Sequence, residues 1–240
     1  MKIFLLILSG WLGCMSLFAQ GMTKLDGKFN FGLKGGVNAP FISLSKFEVN
    51  GREIVEPAVN TKVGYLVAVF SRINMKKHFI QVEASLHYSR SELELDLSAF
   101  YPETETEGGI PPEGTLDVRM HSLEVPLLYG YNFIKRGPYQ LSFFAGPKLK
   151  YIFSQKNDTE VVTSDNIHFY EDLKPLTANI VVGVGTSISN LLLDVRYEFG
   201  LTNISRSARY SYSDEEGTRT GPARFDRSMN LISFSVGVVF

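Results

Sequence analysis

The stretch LLLDVRYEFGLTN, residues 191–203, alternates apolar and charged side chains. Asp194, Arg196 and Glu198 occupy one set of positions, while leucine, valine, tyrosine and phenylalanine fill the positions between them. A period of two is that of a β-strand, whose successive side chains point to opposite faces. The stretch therefore predicts a strand with one apolar and one charged face, and it leaves open whether the apolar face meets a protein core or lipid.

Composition sets wide bounds on the class of protein. The chain has 240 residues, of which 44% are hydrophobic and 20% are charged, and its formal net charge is −1. These values fit one globular domain, or a barrel whose apolar belt is diluted by polar loops. Because the net charge is so close to zero, we expect no nucleic-acid partner.

The first twenty residues, MKIFLLILSGWLGCMSLFAQ, have the pattern of an export signal. A basic Lys2 precedes an apolar run, and the small Ala19 offers a signal-peptidase site. We predict a cleaved signal peptide over 1–19 and one domain over 20–240. Lipidation at Cys14 and a retained anchor helix are the alternatives, although a membrane-spanning helix needs ~20 apolar residues. Cleavage removes the single cysteine, so disulfides would not stabilise the exported chain.

The rest of the chain has a regular rhythm of strands and connections. Strand-like segments lie at about 29–39, 61–72, 78–90, 116–132, 139–154, 176–188, 191–204 and 228–240. Connections after the second, fourth and sixth segments are short, and the others are long and polar, which is typical of outer-membrane barrels. We predict an all-β fold, an eight-stranded antiparallel up-and-down transmembrane β-barrel with short periplasmic turns and long extracellular loops. Residues 175–193 carry no formal charge, so a membrane-spanning helix is the alternative for this segment. The proline and glycines in the segment favour strands.

The facing residues of one hairpin indicate which face points inward. Partners across an antiparallel pair share a face. A two-residue turn at 189–190 pairs Gly185 with Asp194 and Gly183 with Arg196. An eight-stranded barrel has room inside only for its own side chains, and long charged residues opposite glycine suit that space. The charges are therefore predicted to fill the interior, and the apolar face to meet lipid.

A second hairpin, closed within FIKRGP, supports the same division. It places Glu124 opposite Lys148 and Pro126 opposite Gly146. Pro126 and Pro147 each remove a donor from the strand ladder, so we expect a bulge or locally weakened pairing there.

We predict a structural charge network in the lumen. Its members are Lys34, Glu83, Glu124, Lys148, Asp194, Arg196 and Glu198. Because an unpaired buried ion is very costly, we expect Arg196 to bridge at least one carboxylate and Glu124 to lie within ion-pair reach of Lys148. The second strand, KVGYLVAVFSR, is apolar on both faces, so its orientation is not predicted.

The chain end and several short motifs carry a family resemblance. LISFSVGVVF, residues 231–240, alternates apolar residues up to Phe240, like the terminal strand of outer-membrane barrels. Together with FGLKGGVN, IQVEASLHYSR, HSLEVPLLYGY, FFAGPKL, VGVGTSI and DVRYEFGLTNI, it resembles the PorT-like outer-membrane β-barrel family of Bacteroidota. The family's Glu-x-Pro corresponds to Glu124 and Pro126, and its Arg-Tyr to Arg196 and Tyr197.

The resemblance implies a location and partners. It implies a multi-pass barrel in the cell outer membrane, surrounded by outer-membrane lipid, with Phe240 read by the barrel-assembly machinery. Some relatives named PorT belong to type IX secretion, but fold analogy does not transfer function. Ala84 stands where members more often have an acidic or larger residue, which bears on packing.

We expect neither catalysis nor a metal or other cofactor. An acyl-modifying enzyme would need a serine, a histidine and a carboxylate close together. Glu83, Ser85 and His87 share an inward face, and His121 and Ser122 lie at the start of the fourth strand. Alternation alone, however, collects such residues in a polar lumen. No histidine spacing indicates a metal site.

Two long loops are candidates for binding. YPETETEGGIPPEG, residues 101–114, is acidic but lacks the compact Asp/Asn pattern of a calcium loop. The aromatic and basic loop over 205–227 is a candidate site for a protein or glycan. We therefore expect a structural or partner-binding barrel with a filled lumen. The alternatives are a type IX secretion component, a narrow channel and an acyl-modifying enzyme.

Overall fold

The computed structural model describes residues 27–49, 52–53, 58–96, 113–136, 138–153, 156–160, 167–214 and 217–240. The predicted signal peptide and most of the acidic loop, 101–112, lie outside the described residues.

The described chain consists of β-strands joined by turns and short connections. They are β1 Phe29–Val49, β2 Arg52–Glu53, β3 Ala58–Met75, β4 His78–Asp96, β5 Glu113–Arg136, β6 Tyr139–Ile152, β7 Lys156–Glu160, β8 Ile167–Leu173, β9 Leu176–Ile188, β10 Leu191–Gly200, β11 Ser205–Asp214 and β12 Gly217–Val239.

Eight of these strands form a closed ring. The order is β1, β3, β4, β5, β6, β9, β10 and β12, every neighbouring pair is antiparallel, and β12 pairs back onto β1. The predicted eight-stranded antiparallel barrel is confirmed. Closure leaves the ring without a free edge, as a hydrocarbon environment demands of any spanning sheet.

The sheet continues beyond the ring, at the end opposite the short turns. The β1–β12 ladder runs on to Val49 and Ala223, β11 pairs with β12, β8 with β11, and β7 with β8. The stretch 205–227, predicted as an irregular loop, therefore contains β11 and the first half of β12. That expectation was wrong. The sequence of 205–227 is polar and rich in serine, so it lacks the apolar alternation by which the ring strands were recognised.

Burial alternates along the ring strands in the sense opposite to a soluble sheet. Along β10, Val195 is 52% exposed, whereas Asp194 and Arg196 are 2% and 6% exposed. The patterns of β6 and β9 alternate in the same way. The charged face therefore fills the interior and the apolar face covers the outside.

The orientation of the second ring strand, β3, follows from the same alternation. Leu66, Phe70 and Arg72 are buried in the interior, and Tyr65 and Val67 are exposed on the outer wall. The interior half of β3 is thus largely apolar, which is why its sequence did not distinguish the two faces.

The two predicted hairpin registers had different outcomes. The 189–190 turn pairs Gly185 with Asp194 and Gly183 with Arg196, as predicted. The other register was wrong by two residues, since Glu124 lies opposite Lys150. The hairpin closes later than predicted, where Arg136 pairs with Tyr139, and a register shift within β5 alters the pairing above the turn. A shift of two keeps every side chain on its predicted face.

The prolines weaken the ladder without a bulge. Pairing between β4 and β5 is interrupted beside Pro126, and pairing between β5 and β6 is interrupted beside Pro147. The register is the same on both sides of each interruption. The Ser85 hydroxyl donates to the Glu124 backbone carbonyl at 3.2 Å and so satisfies one group at this seam. Locally weakened pairing, one of the two expected outcomes, is confirmed.

No helix in the described residues is long and apolar enough to cross a membrane. Residues 176–188 form β9 and residues 191–193 begin β10, so the helix alternative for 175–193 was wrong.

Candidate functional site in the barrel interior

Apolar side chains form two buried clusters in the interior of the ring. One cluster contains Phe79, Leu128, Phe144 and Val181, and a second contains Phe70, Leu192 and Val239. We call these two clusters the apolar plug. Its seven side chains come from seven of the eight ring strands. Because packed rings and branched side chains leave few voids, the plug occupies interior space that a channel would need to leave open.

The first charged cluster is centred on Arg196. Its Nη1 and Nη2 donate to the two oxygens of Glu83 at 2.8 and 2.7 Å, and its Nε and Nη2 donate to the two oxygens of Asp194 at 2.9 and 2.8 Å. Lys34 Nζ lies 2.9 Å from Glu83 Oε2 and 3.4 Å from Asp194 Oδ2. Two bidentate contacts to one guanidinium are the geometry that only arginine provides. We call Lys34, Glu83, Asp194 and Arg196 the Arg196 cluster.

Neutral side chains and rings tie this cluster to its surroundings. The Ser235 hydroxyl donates to Asp194 Oδ1 at 2.6 Å. Gln81 donates to Glu83 and accepts a hydrogen bond from Arg72 Nε at 2.5 Å. The Arg72 guanidinium also lies 4.2 Å from the centroid of the Phe79 ring, within the range of a cation–π contact. The apolar plug and the Arg196 cluster are therefore continuous.

The second charged cluster is centred on Glu124, which is fully buried. Lys148 bridges Glu124 and Glu198, and Lys150 Nζ lies 3.0 Å from Glu124 Oε1. His87 Nε2 lies 3.3 Å from Glu124 Oε2. We call His87, Glu124, Lys148, Lys150 and Glu198 the Glu124 cluster. It joins four strands, β4, β5, β6 and β10, across the lumen.

Opposite charges in the interior nearly cancel. The buried cations are Lys34, Arg72, Lys148, Lys150 and Arg196, and the buried anions are Glu83, Glu124, Asp194 and Glu198. Five cations against four anions leave one net positive charge among these residues, and each anion contacts a cation. Such pairing compensates for the loss of water around each ion, which alone would be prohibitive.

Little open space remains between the two clusters. A cavity of about 10 Å³ lies there, lined by members of both clusters and by Pro126, Ser233 and Ser235. That volume corresponds to about one water molecule. The side chains of the two charged clusters are therefore packed closely against each other.

The family to which the chain belongs is shown by its sequence. The family described as outer membrane protein beta-barrel domain matches residues 18–206. The chain belongs to this family. It is an outer-membrane β-barrel protein, and the exposed apolar face of its ring strands meets lipid. No curated protein sequence matches it.

Several solved structures of outer-membrane proteins are similar to this chain. The outer membrane protein OprG from Pseudomonas aeruginosa has a TM-score of 0.51 at 12% identity, over 88% of this chain and 95% of that one. A major outer membrane protein from Thermus thermophilus has a TM-score of 0.46 at 10% identity, over 89% of this chain and 100% of that one. Neisserial surface protein A has a TM-score of 0.39 at 12% identity, over 88% and 97% of the two chains.

Within this outer-membrane barrel, the seven residues predicted for the lumen network are all buried in the interior. They divide between the Arg196 cluster and the Glu124 cluster, and Arg196 contacts two carboxylates while Glu124 contacts Lys148. Sequence reasoning missed Arg72 and Lys150. Lys150 follows Lys148 by two residues and so shares its face, a signal that was available. Arg72 was hidden by the apolar character of both faces of β3.

The residues considered for an acyl-modifying enzyme converge only in part. His87 and Ser122 face each other across β4 and β5 and both contact Glu124, and the Ser122 hydroxyl donates to that carboxylate at 2.9 Å rather than to a histidine. Ser85 donates to a backbone carbonyl, Glu83 is held by Arg196, and His87 contacts Glu124. His121 is exposed on the outer wall, with its ring centroid 4.9 Å from that of Tyr88. A nucleophile aimed by a histidine, as hydrolysis of an acyl group requires, is not formed by these side chains. Among the described residues no three His, Cys, Asp or Glu side chains form a group able to hold a metal ion.

Proposed function

We propose that this outer-membrane barrel is a non-conducting protein that acts through binding of a partner or ligand at its extracellular end. The observation that carries the proposal is the filled lumen. Charged side chains from five ring strands, β1, β4, β5, β6 and β10, meet in the barrel interior, and the apolar plug packs beside them. A role in solute passage would need a wide hydrated path, whereas the cavity between the clusters has a volume of about 10 Å³.

The extracellular end supplies the surface for binding. The sheet extends past the ring through β2, β7, β8 and β11, and the β1–β12 ladder continues with them. Loops and ribbons that a rigid scaffold holds above the membrane are where binding residues usually lie. A protein or a glycan is the expected class of partner, and we propose no catalytic role and no cofactor.

Two measurements test this proposal together. The purified protein in planar lipid bilayers should show no steady conductance above that of the lipid alone. Crosslinking in cells followed by pull-down should capture a partner with the intact protein and lose it when residues 205–227 are replaced by a short turn. Ion conductance that persists in the intact barrel would favour the narrow-channel alternative and overturn the proposal.

The sequence motifs support a more specific family assignment. We propose that the chain belongs to the PorT-like branch of Bacteroidota, because Glu124-x-Pro126 and Arg196-Tyr197 match the family pattern. These residues are also structurally distinctive, since Glu124 and Arg196 centre the two charged clusters and Pro126 interrupts a ladder. A part in type IX secretion is the functional alternative from this resemblance. Unchanged type IX secretion after deletion of the gene would exclude it.

Export and assembly complete the proposal. We infer cleavage of residues 1–19 during export and recognition of Phe240 by the barrel-assembly machinery. Phe240 is exposed and exchanges backbone hydrogen bonds with Phe31 of β1. Deletion of Phe240 should reduce the fraction of barrel that migrates faster on an unheated gel. Normal assembly of the deletion variant would contradict this role.

A further inference from the structure

The short-turn end of the barrel carries a set of basic side chains. Lys28 precedes β1, Lys76 and Lys77 form the turn between β3 and β4, and Lys135 and Arg136 end β5. Lys135 is partly exposed and the other four are exposed. We call these five residues the basic rim. In an outer-membrane barrel the short turns face the periplasm, so the basic rim lies on the periplasmic side.

The members of the basic rim lie on one arc of the circumference. Lys135 Nζ donates to the Lys76 carbonyl at 3.3 Å. The Lys77 carbonyl accepts a hydrogen bond from a backbone amide of β5 at 2.7 Å, and the Lys28 carbonyl accepts one from β3 at 2.9 Å. The turns of two neighbouring hairpins and the start of β1 are thus joined through these residues.

The charge on the two basic turns is of one sign. Segments 72–80 and 132–141, which contain the two basic turns, include no aspartate or glutamate. The third short turn is different, because segment 186–193 has no charged residue at all. Among the three short turns, positive charge is therefore concentrated in the two neighbouring ones.

The conformation of Lys76 gives a second observation about the turn. Its φ is 57°, in the left-handed region that glycine and asparagine adopt most readily. Two-residue hairpin turns with a positive φ only at their first central residue usually have glycine there. This turn instead has lysine at both central positions. It therefore carries two positive charges although lysine adopts this backbone conformation less readily than glycine.

Aromatic side chains define the depth of the basic rim in the membrane. Tyr129 Oη lies 2.6 Å from His78 Nδ1, and the His78 ring lies 5.0 Å from the ring of Tyr131. Phe133 and Tyr139 are exposed on the same wall. Tyrosine belts lie at the level of lipid headgroups. The basic rim follows this belt directly along the chain and therefore reaches the headgroup layer.

We propose that the basic rim binds the headgroups of anionic phospholipids in the periplasmic leaflet. The charge is complementary, and the aromatic belt places the lysines at the depth where the phosphate groups lie. Basic clusters beside a membrane span attract anionic lipid in this way. A phospholipid fits better than a soluble acidic partner because it is held at this depth at high local concentration. The inference is independent of the function proposed for the extracellular end.

The test measures which lipids stay with the protein. The full protein is placed in bilayer nanodiscs of phosphatidylglycerol and phosphatidylethanolamine, extracted gently, and the retained lipids are counted by native mass spectrometry. The wild type should retain phosphatidylglycerol in preference to phosphatidylethanolamine. Lys76→Asn/Lys77→Gln should reduce this preference by on the order of tenfold, since two cations are lost from the headgroup level. Asparagine suits the left-handed φ, so the turn is expected to fold.

The matched control removes two positive charges from the other end. Lys62 and Arg119 are exposed on β3 and β5 beyond the level of the charged clusters. Lys62→Gln/Arg119→Gln should retain the wild-type lipid preference. Equal preference in the wild type and the Lys76→Asn/Lys77→Gln variant, or an equal loss in the control, would overturn the proposal.

Two further arms separate the phospholipid from other anions. Millimolar inorganic phosphate should leave the retained phosphatidylglycerol unchanged, and displacement by it would assign the rim to free phosphate. Co-sedimentation with purified peptidoglycan sacculi should be the same for wild type and variant. Sedimentation that requires Lys76 and Lys77, without any lipid preference, would assign the rim to the cell wall and overturn the lipid proposal.

Discussion

Arg196 and Val195 are adjacent on β10, yet they face opposite environments. Arg196 is 6% exposed and contacts two carboxylates, whereas Val195 is 52% exposed on the lipid-facing wall. A buried ion needs particular partners at particular distances. A lipid-facing side chain needs only to be apolar, because fluid hydrocarbon chains adapt to its shape. Substitutions on the inner face should therefore destabilise the barrel more than substitutions on the outer face. The predictions below run from the largest expected loss of stability to the smallest.

Arg196→Leu should have the largest effect on stability. It leaves Glu83 and Asp194 without their bidentate partner and with Lys34 as the remaining cation between them. Removal of one partner from a buried ionic group costs about 3–5 kcal/mol. The free energy of unfolding in urea, measured after reconstitution, should fall by this amount. Arg196→Lys keeps the charge and should lose less, and an Arg196→Leu protein with unchanged unfolding would contradict the interior role.

Breaking the second cluster should cost somewhat less. Lys148→Met removes the cation that contacts Glu198, while Glu124 keeps its contact with Lys150. The free energy of unfolding should fall by about 3 kcal/mol, because the buried Glu198 carboxylate loses its cation in a low-dielectric interior. The double variant Lys148→Met/Glu198→Gln should recover part of that loss, which a double-mutant cycle detects as coupling. Strictly additive losses would show that the pair is not coupled.

Two glycines on β9 offer a comparison within the interior itself. A Cβ on Gly183 would lie 2.5 Å from ring atoms of Phe144 and 2.8 Å from the Val195 carbonyl oxygen. A Cβ on Gly185 would meet its nearest atom, Ser142 Oγ, at 3.3 Å. Gly183→Ala should therefore destabilise the barrel by about 1–3 kcal/mol through overpacking, and Gly185→Ala by much less. Thermal or urea unfolding of the two variants in the same detergent checks this, and equal effects would contradict the tight packing around Arg196.

The smallest effect is expected on the outer wall. Val195→Leu adds one methylene to a surface that faces lipid, so the free energy of unfolding should change by less than ~0.5 kcal/mol. The same assay as for Arg196→Leu provides the measurement. A loss comparable with that of Arg196→Leu would remove the distinction between the two faces.

Much of the architecture was predictable because alternation alone determines which face is inside. A period of two placed Asp194, Arg196 and Glu198 on one face, and the glycines opposite them on β9 fixed that face as the interior. The two-residue turn at 189–190 also determined the register of its hairpin, since so short a turn allows little freedom.

Other features depended on interactions that the sequence pattern does not encode. The orientation of β3 was hidden because Leu66 and Phe70 are large apolar side chains inside the barrel. The β5–β6 register depended on a register shift between Asn132 and Ile134, which leaves no distinct sequence signal. The ion pair of Glu124 with Lys148 was expected from a register that placed the two residues directly opposite each other. It forms in the actual register because a long lysine side chain reaches a carboxylate two residues along the ladder.

The closing seam between β1 and β12 has a consequence for how the chain folds. Its pairs join Gly32 to Val239, residues near opposite ends of the described chain. Such a contact has a very large sequence separation, and forming it early would cost much loop entropy. Until β12 arrives, β1 and β10 each present an unpaired edge that is prone to aggregation. We therefore expect the wall to be completed late, in a highly nonlocal step, and the two open edges to need protection until then.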